Sequence, residues 1–262
     1  MEKKIGIALG SGGAKGLAHI GILKVLSDAG IEADYLAGCS SGSIVGAYYA
    51  LNQEVQGLED KVLSMGRKDM LRLLDITSPR KALVKGEKIK SFVKSIIGNK
   101  RFSDTKIPFQ IIATNLENGK EVRLKKGSLT DAIRASISIP GIFTPARIDK
   151  RFYVDGGVVN PTPIDAVDEM GADILIGADL TMNRSIKLTD PNIFITLLQS
   201  FEILRAETVK ARLKKHPEAI LIEPKFKGEM DAYNFKDFQD FIKRGERAAK
   251  KMLPIIKRKI EK

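Results

Sequence analysis

Short apolar runs alternate with stretches of helical spacing along most of the chain. Residues 4–9, Lys-Ile-Gly-Ile-Ala-Leu, predict a short buried strand. Leu17, Ile20, Leu23 and Leu26 then recur at helical spacing and predict a helix over 17–29, which Gly30 stops. Residues 34–39 read as a second strand and 43–51 as a second helix. Residues 54–105 are mostly helical and charged, without a chemical motif. Residues 108–114 predict a strand, and Glu117-Asn118-Gly119-Lys120 a hairpin turn into 121–124. A helix over 129–138 closes at Ile139-Pro140-Gly141. A strand over 152–155, a helix over 163–170 and a strand over 173–179 follow. This alternation predicts a three-layer α/β/α core around a mainly parallel central sheet.

The pattern changes near Thr189. The remainder reads as two or three amphipathic helices around a short strand at 219–222. Ile193, Phe194, Leu197, Leu198, Phe201 and Leu204 share helical spacing, which predicts core packing, with acyl-chain or membrane contact as the alternative. The chain thus divides into a core over residues 5–180 and a helical extension over 190–262 packed on it. Internal repeats and low-complexity segments are lacking.

Composition narrows the function classes. In 262 residues there is no apolar run of 18 or more, so a transmembrane helix is not expected. The apolar stretch before Gly10 is too short for a signal peptide, and the expected location is the cytoplasm. The single cysteine, Cys39, excludes an intrachain disulfide and a cysteine-rich zinc site. The net charge of +12 favours an anionic partner. Lys243–Lys262 holds nine basic residues against two acids, which suits either a solvated helix face or attraction to an anionic membrane surface. Nucleic acid is not expected, because there is no Trp and the basic tail has no aromatic side chains to stack on bases.

Two glycine-flanked turns carry the candidate chemistry. Gly38-Cys39-Ser40-Ser41-Gly42 has the nucleophile-elbow spacing. A serine at a sharp strand-to-helix turn projects its hydroxyl clear of the sheet, and the tight turn leaves no room for side chains two residues to either side. Cys39, one residue earlier, points to the other side and is not the nucleophile. The second turn is Gly10-Ser11-Gly12-Gly13-Ala14-Lys15-Gly16. It lacks the Gly-Lys-Ser/Thr ending of a phosphate-binding loop. It has lysine where a dinucleotide fingerprint needs its last glycine, and the acid some twenty residues on, Asp34, would open the second strand instead of closing it. The third reading is an oxyanion hole built from backbone amides near Gly12 and Gly13, completed by Ser41 at the next helix start. Lys15 then anchors the loop, meets a lipid headgroup, or is simply solvated.

A serine nucleophile needs a base. His19 falls within the first helix, where it packs or caps locally. His216 lies in a charged run without strand-end context and reads as a surface residue. Asp155-Gly156-Gly157 ends a strand at a flexible turn. An aspartate there could touch the serine directly, and partial burial would strengthen it as a base.

These pieces, in this order, resemble the patatin-like phospholipase family, and its bacterial single-domain members in particular. The likeness rests on Gly10 to Gly21, on Ala37 to Ser43, on Ala132-Ile133-Arg134-Ala135-Ser136 with Ile139-Pro140-Gly141, and on Val154-Asp155-Gly156-Gly157. It spans roughly residues 5–180. The resemblance implies a patatin-like fold and a dyad of Ser40 and Asp155 without a catalytic histidine. It also implies an oxyanion hole at Gly12–Gly13, lipid acyl esters as substrates, and no metal or organic cofactor. Two departures stand out: Lys15, where arginine is frequent, and the proline-rich Asn160-Pro161-Thr162-Pro163. Residues beyond about 190 match no motif of the family.

Overall fold

A computed structural model describes residues 3–65, 86–181, 192–226 and 238–261. Its centre is a single sheet whose strand order is β5-β6-β3-β2-β1-β7-β8, with β4 also on β3. The strands are β1 Ile5–Leu9, β2 Tyr35–Cys39, β3 Phe109–Asn115, β4 Glu121–Leu124, β5 Ala146–Ile148, β6 Arg151–Asp155, β7 Ile174–Ala178 and β8 Ile220–Ile222. The run β3-β2-β1-β7-β8 is parallel throughout. Antiparallel pairing is confined to β3-β4, β3-β6 and β5-β6. The mainly parallel α/β/α fold is therefore as expected. The hairpin read at 117–120 joins β3 to β4.

The helices are α1 Ala18–Asp28, α2 Ser41–Asn52, α3 Gln56–Ser64, α4 Glu87–Ile97, α5 Leu129–Ser136, α6 Ile164–Glu169, α7 Ile193–Leu213 and α8 Phe238–Glu261. Alternation along the strands sorts them into two layers. Ile5, Ile7, Leu9, Leu36, Ile111, Ile174 and Ile176 form one face, in a core shared with α1, α2 and α8. Ala8, Ala37, Cys39, Ile112 and Leu175 form the other, against α6 and Leu213 of α7. The second face is built of smaller side chains, so α6 packs close to it. A Cβ on Gly6 would stand 2.8 Å from the Val167 Cβ.

Some elements add to these readings, and one departs from them. The 54–105 stretch yields α3 and α4, while its residues 66–85 lie outside those described. Strand β5 was not expected. The segment after 190 places β8 in the same sheet and lays α8 across α1. There a Cβ on Gly21 would stand 2.1 Å from the Ile242 carbonyl oxygen, and one on Gly245 2.0 Å from that of Ala18. Helix α7 is turned the opposite way from its predicted packing. Ile193, Leu197 and Leu204 are exposed, and only Leu198 of the described stripe is buried. The helix instead buries Glu202 and Arg205. The apolar period was read correctly, but the inward face was set by buried charges that meet partners on other elements.

Candidate active site

Strand β3 positions the site. Its register with β4 covers Ile111–Thr114, so β4 fills one edge. The other edge is shared: β2 pairs along it up to Cys39 opposite Ile112, and β6 pairs from the other direction with Asp155 opposite Ala113. The two strands run toward each other along one edge and stop at adjacent register positions. Ser40 follows the end of β2, and Asp155 is the end of β6. Their side chains meet: Ser40 Oγ donates to Asp155 Oδ2 at 2.6 Å.

The elbow holds Ser40 at φ 52°, ψ −121°, a strained conformation for a non-glycine residue. Its neighbours leave no space for side chains. A Cβ on Gly38 would stand 2.7 Å from the Gly42 carbonyl oxygen, and one on Gly42 2.2 Å from that of Leu9. The Ser40 amide donates to Ser136 Oγ at 2.8 Å, and the Ser40 carbonyl accepts from Ser43 Oγ at 2.6 Å. Asp155 is braced in parallel. Its Oδ1 accepts from the Gly157 amide at 2.7 Å, its amide donates to the Ser138 carbonyl at 3.0 Å, and its carbonyl accepts from Thr114 Oγ1 at 2.9 Å. Thus the end of α5 holds both residues, through Ser136 and Ser138. Residues 7–168 match the sequence profile described as patatin-like phospholipase.

This chain belongs to the patatin-like phospholipase family. An uncharacterized NTE family protein of Mycobacterium tuberculosis is 35% identical over 192 residues, 72% of this chain and 53% of its own. The chain thus spans about half the length of that relative. A lysophospholipase of Aspergillus fumigatus is 28% identical over 202 residues, 76% of this chain and 13% of its own. The crystal structure of VipD from Legionella pneumophila shares the fold at a TM-score of 0.54 and 14% identity, over 97% of this chain and 67% of that one.

In this patatin-like site the glycine-rich turn lies against the elbow. A Cβ on Gly16 would stand 2.3 Å from that of Ser41, and Gly13, Gly16, Ser40 and Ser41 line one cleft. The Gly10 and Ser11 amides are engaged by the carbonyls of Ala178, at 3.0 Å, and Pro161, at 2.8 Å. The proline-rich departure at 160–163 therefore braces the glycine turn. Lys15 is 2% exposed. Its Nζ donates to the Leu180 carbonyl at 2.8 Å and lies 3.8 Å from Glu202. It anchors the loop, and both the solvated reading and the headgroup reading fail on burial. Asp34 does not face the glycine turn. It accepts from the Ile5 amide and from Lys4 Nζ at the far end of β1.

The remaining candidates separate cleanly. His19 is fully buried, and its Nε2 donates to the Gly10 carbonyl at 2.7 Å. Burial lowers its pKa to about 4, so it is a neutral brace of the turn. His216 stands 3.6 Å from both Asp168 and Glu218, near the entry ends of β7 and β8 and away from Ser40. Cys39 points into the opposite core face, where burial pushes its thiol pKa up. Burial also raises the Asp155 pKa, against the lowering effects of Arg205, the Ser40 hydroxyl and the Gly157 amide.

Above Ser40 the cleft is apolar. Leu58 and Val62 of α3, Ile89 and Phe92 of α4, and Ile139 and Phe143 after α5 line it. Acyl-chain contact from the 193–204 stripe is not seen: among the described residues, none past 190 lines this cleft. Sequence reading missed Ser136, Ser138, Glu202 and Arg205. The two serines fall inside the quoted helix–proline motif, whose spacing carries no hint of their partners. Glu202 and Arg205, three apart within an apolar stripe, were the one local signal that this face of α7 is buried around charge.

Proposed function

We propose that the protein is a serine acyl hydrolase that cleaves carboxylic esters of lipids, of the phospholipase A, lysophospholipase or esterase type. The observation that carries this reading is the 2.6 Å hydrogen bond from Ser40 to Asp155 at the foot of an apolar cleft. The Ser40 oxygen attacks the ester carbonyl carbon while Asp155 Oδ2 takes its proton. Negative charge moves onto the carbonyl oxygen. In this reading the amides of Gly12 and Gly13, at the start of a short 3-10 helix, and of Ser41, at the start of α2, receive it. The ester C–O bond breaks, the alcohol leaves with the proton from Asp155, and the acyl group stays on Ser40. Water then attacks the acyl-enzyme, giving its proton to Asp155, which returns it to Ser40 as the fatty acid departs. The apolar walls suit an acyl chain, and the lysophospholipase relative supports a lipid substrate.

Contact with lipid is proposed to be peripheral. Among the described residues no helix is long and apolar enough to cross a bilayer. The outer face of α7 exposes Ile193, Leu197 and Leu204, at 81%, 63% and 65%. Its inner face carries Arg205 to the glycine turn, and a chain of net charge +12 favours an anionic surface.

The test is labelling with a fluorophosphonate probe, beside ester turnover. The wild type is expected to label on Ser40 and hydrolyse acyl esters, Ser40→Ala to do neither, and Asp155→Asn to lose at least about 100-fold in rate. His216→Ala is expected to behave as wild type. Absence of labelling and turnover in the wild type would overturn the hydrolase reading.

A further inference from the structure

A carboxylate base buried to 2% exposure faces a physical difficulty. Removal from water favours its neutral form, and a protonated Asp155 cannot accept the Ser40 proton. The two histidines engage other partners: His19 the Gly10 carbonyl, His216 Asp168 and Glu218. The compensating charge comes from α7, beyond the residues that match the family profile. Arg205 is 5% exposed. Its Nη1 donates to Glu202, and its Nη2 donates to Ser11 Oγ, on the glycine turn. Its Nε is buried and, among the described residues, has no hydrogen-bond partner. A Cβ on Gly157 would stand 2.9 Å from Asp155 Oδ1 and 3.1 Å from Arg205 Nε. The guanidinium therefore stands within about 6 Å of the carboxylate, inside the range of strong charge coupling. The missing side chain of Gly157 leaves the space between them.

We infer that Arg205 is a positioning residue for the proposed Ser40–Asp155 reaction: its guanidinium keeps the Asp155 carboxylate ionised and, through Ser11, ties the glycine turn to it. A purely structural role explains the arrangement poorly, because a buried ion pair stabilises a fold no better than apolar residues of similar volume. The other groups around Asp155 do not substitute for this cation. The Ser40 hydroxyl and the Gly157 amide are neutral donors. The Cys39 thiol, across the sheet, stays neutral under burial. Glu121, on β4, acts on that thiol with the same sign as Asp155. Lys15 lies beyond Glu202, which offsets its charge. Glu202 itself opposes Arg205, so the two α7 side chains set the field at Asp155 in opposite senses.

The inference rests on the dyad reading, and the test separates the two. The pH dependence of kcat/KM on a soluble short-chain ester is measured for wild type, Arg205→Gln, Arg205→Lys and Glu202→Gln, beside thermal unfolding of each. Arg205→Gln is expected to move the acid limb up by about 1–3 pH units, with turnover recovering toward alkaline pH. Arg205→Lys is expected to keep the limb near its wild-type position, and Glu202→Gln to move it down. A structural role would lower kcat/KM evenly across pH, with the limb unmoved in all variants, and that outcome would overturn the inference. If Arg205→Gln does not fold, the limbs of Arg205→Lys and Glu202→Gln decide. An inactive wild type, or activity that survives Ser40→Ala, defeats the hydrolase reading instead.

Discussion

At the scale of single residues, two carry opposite electrostatic duties. Burial raises the Asp155 pKa. In the proposed reaction this places the acid limb of kcat/KM above the ordinary aspartate value near 4. Activity is then lost as pH falls through that limb. His19 works in the other direction. Its pKa is about 4 in the fold against 6.5 in the unfolded chain, so the unfolded state binds the extra proton between these values. Stability from this group is complete above pH 6.5 and falls as pH drops toward 4, by about 3 kcal/mol. Urea unfolding at pH 7 and pH 4.5 should show a smaller pH difference in His19→Gln than in wild type; an equal difference would refute the assignment. Ser40 and Asp155 were legible because each sits in a local pattern at a strand end. Arg205 was not, because nothing in the neighbouring residues records that α7 docks on the glycine turn.

At the scale of elements, sequence periodicity located most strands and helices within a residue or two. What it could not supply was orientation. Helix α7 has one apolar stripe and one polar stripe, and a bottom-up reading turns the apolar side inward. The fold does the reverse around Arg205 and Glu202. The consequence is testable on substrate supply. Leu197→Ser with Leu204→Ser should reduce turnover of vesicle-borne lipid several-fold and leave a soluble short-chain ester unaffected. Equal loss on both substrates would place these side chains in folding instead. The α1–α8 crossing is equally specific. Gly245→Ala puts a Cβ 2.0 Å from the Ala18 carbonyl oxygen. Overpacking of this kind costs about 1–3 kcal/mol, readable as a lowered thermal midpoint with unchanged activity per folded molecule. Gly245 lies in no turn pattern, so the sequence offered no reason to single it out.

At the scale of the whole molecule, the last turns of α8 and the candidate site occupy different ends. The basic residues of α8 cover its solvent face, while Phe238, Ile242, Ala249 and Ile256 face the core. Lys3 Nζ reaches the Lys259 carbonyl, which sets the last turns of α8 beside the start of β1, whereas Ser40 lies at the exit end of the parallel strands. Lys257, Arg258 and Lys259 therefore do not border the cleft. Co-sedimentation with anionic vesicles should weaken with salt, while exchanging Lys257, Arg258 and Lys259 for Gln should leave the α7-dependent turnover intact.

The head-on meeting of β2 and β6 along one edge of β3 also bears on how the chain is made. Ser40 and Asp155 are 115 residues apart, so a ribosome releases the nucleophile long before its partner exists. A nascent chain holding β1, β2 and β3 carries an unarmed serine and lacks the Ser136 hydroxyl that holds the Ser40 amide. Arming comes only when β6 closes the last stretch of that edge and α7 has come down over it. In the proposed reaction, hydrolysis is thus withheld from every incomplete fold until α7 has docked.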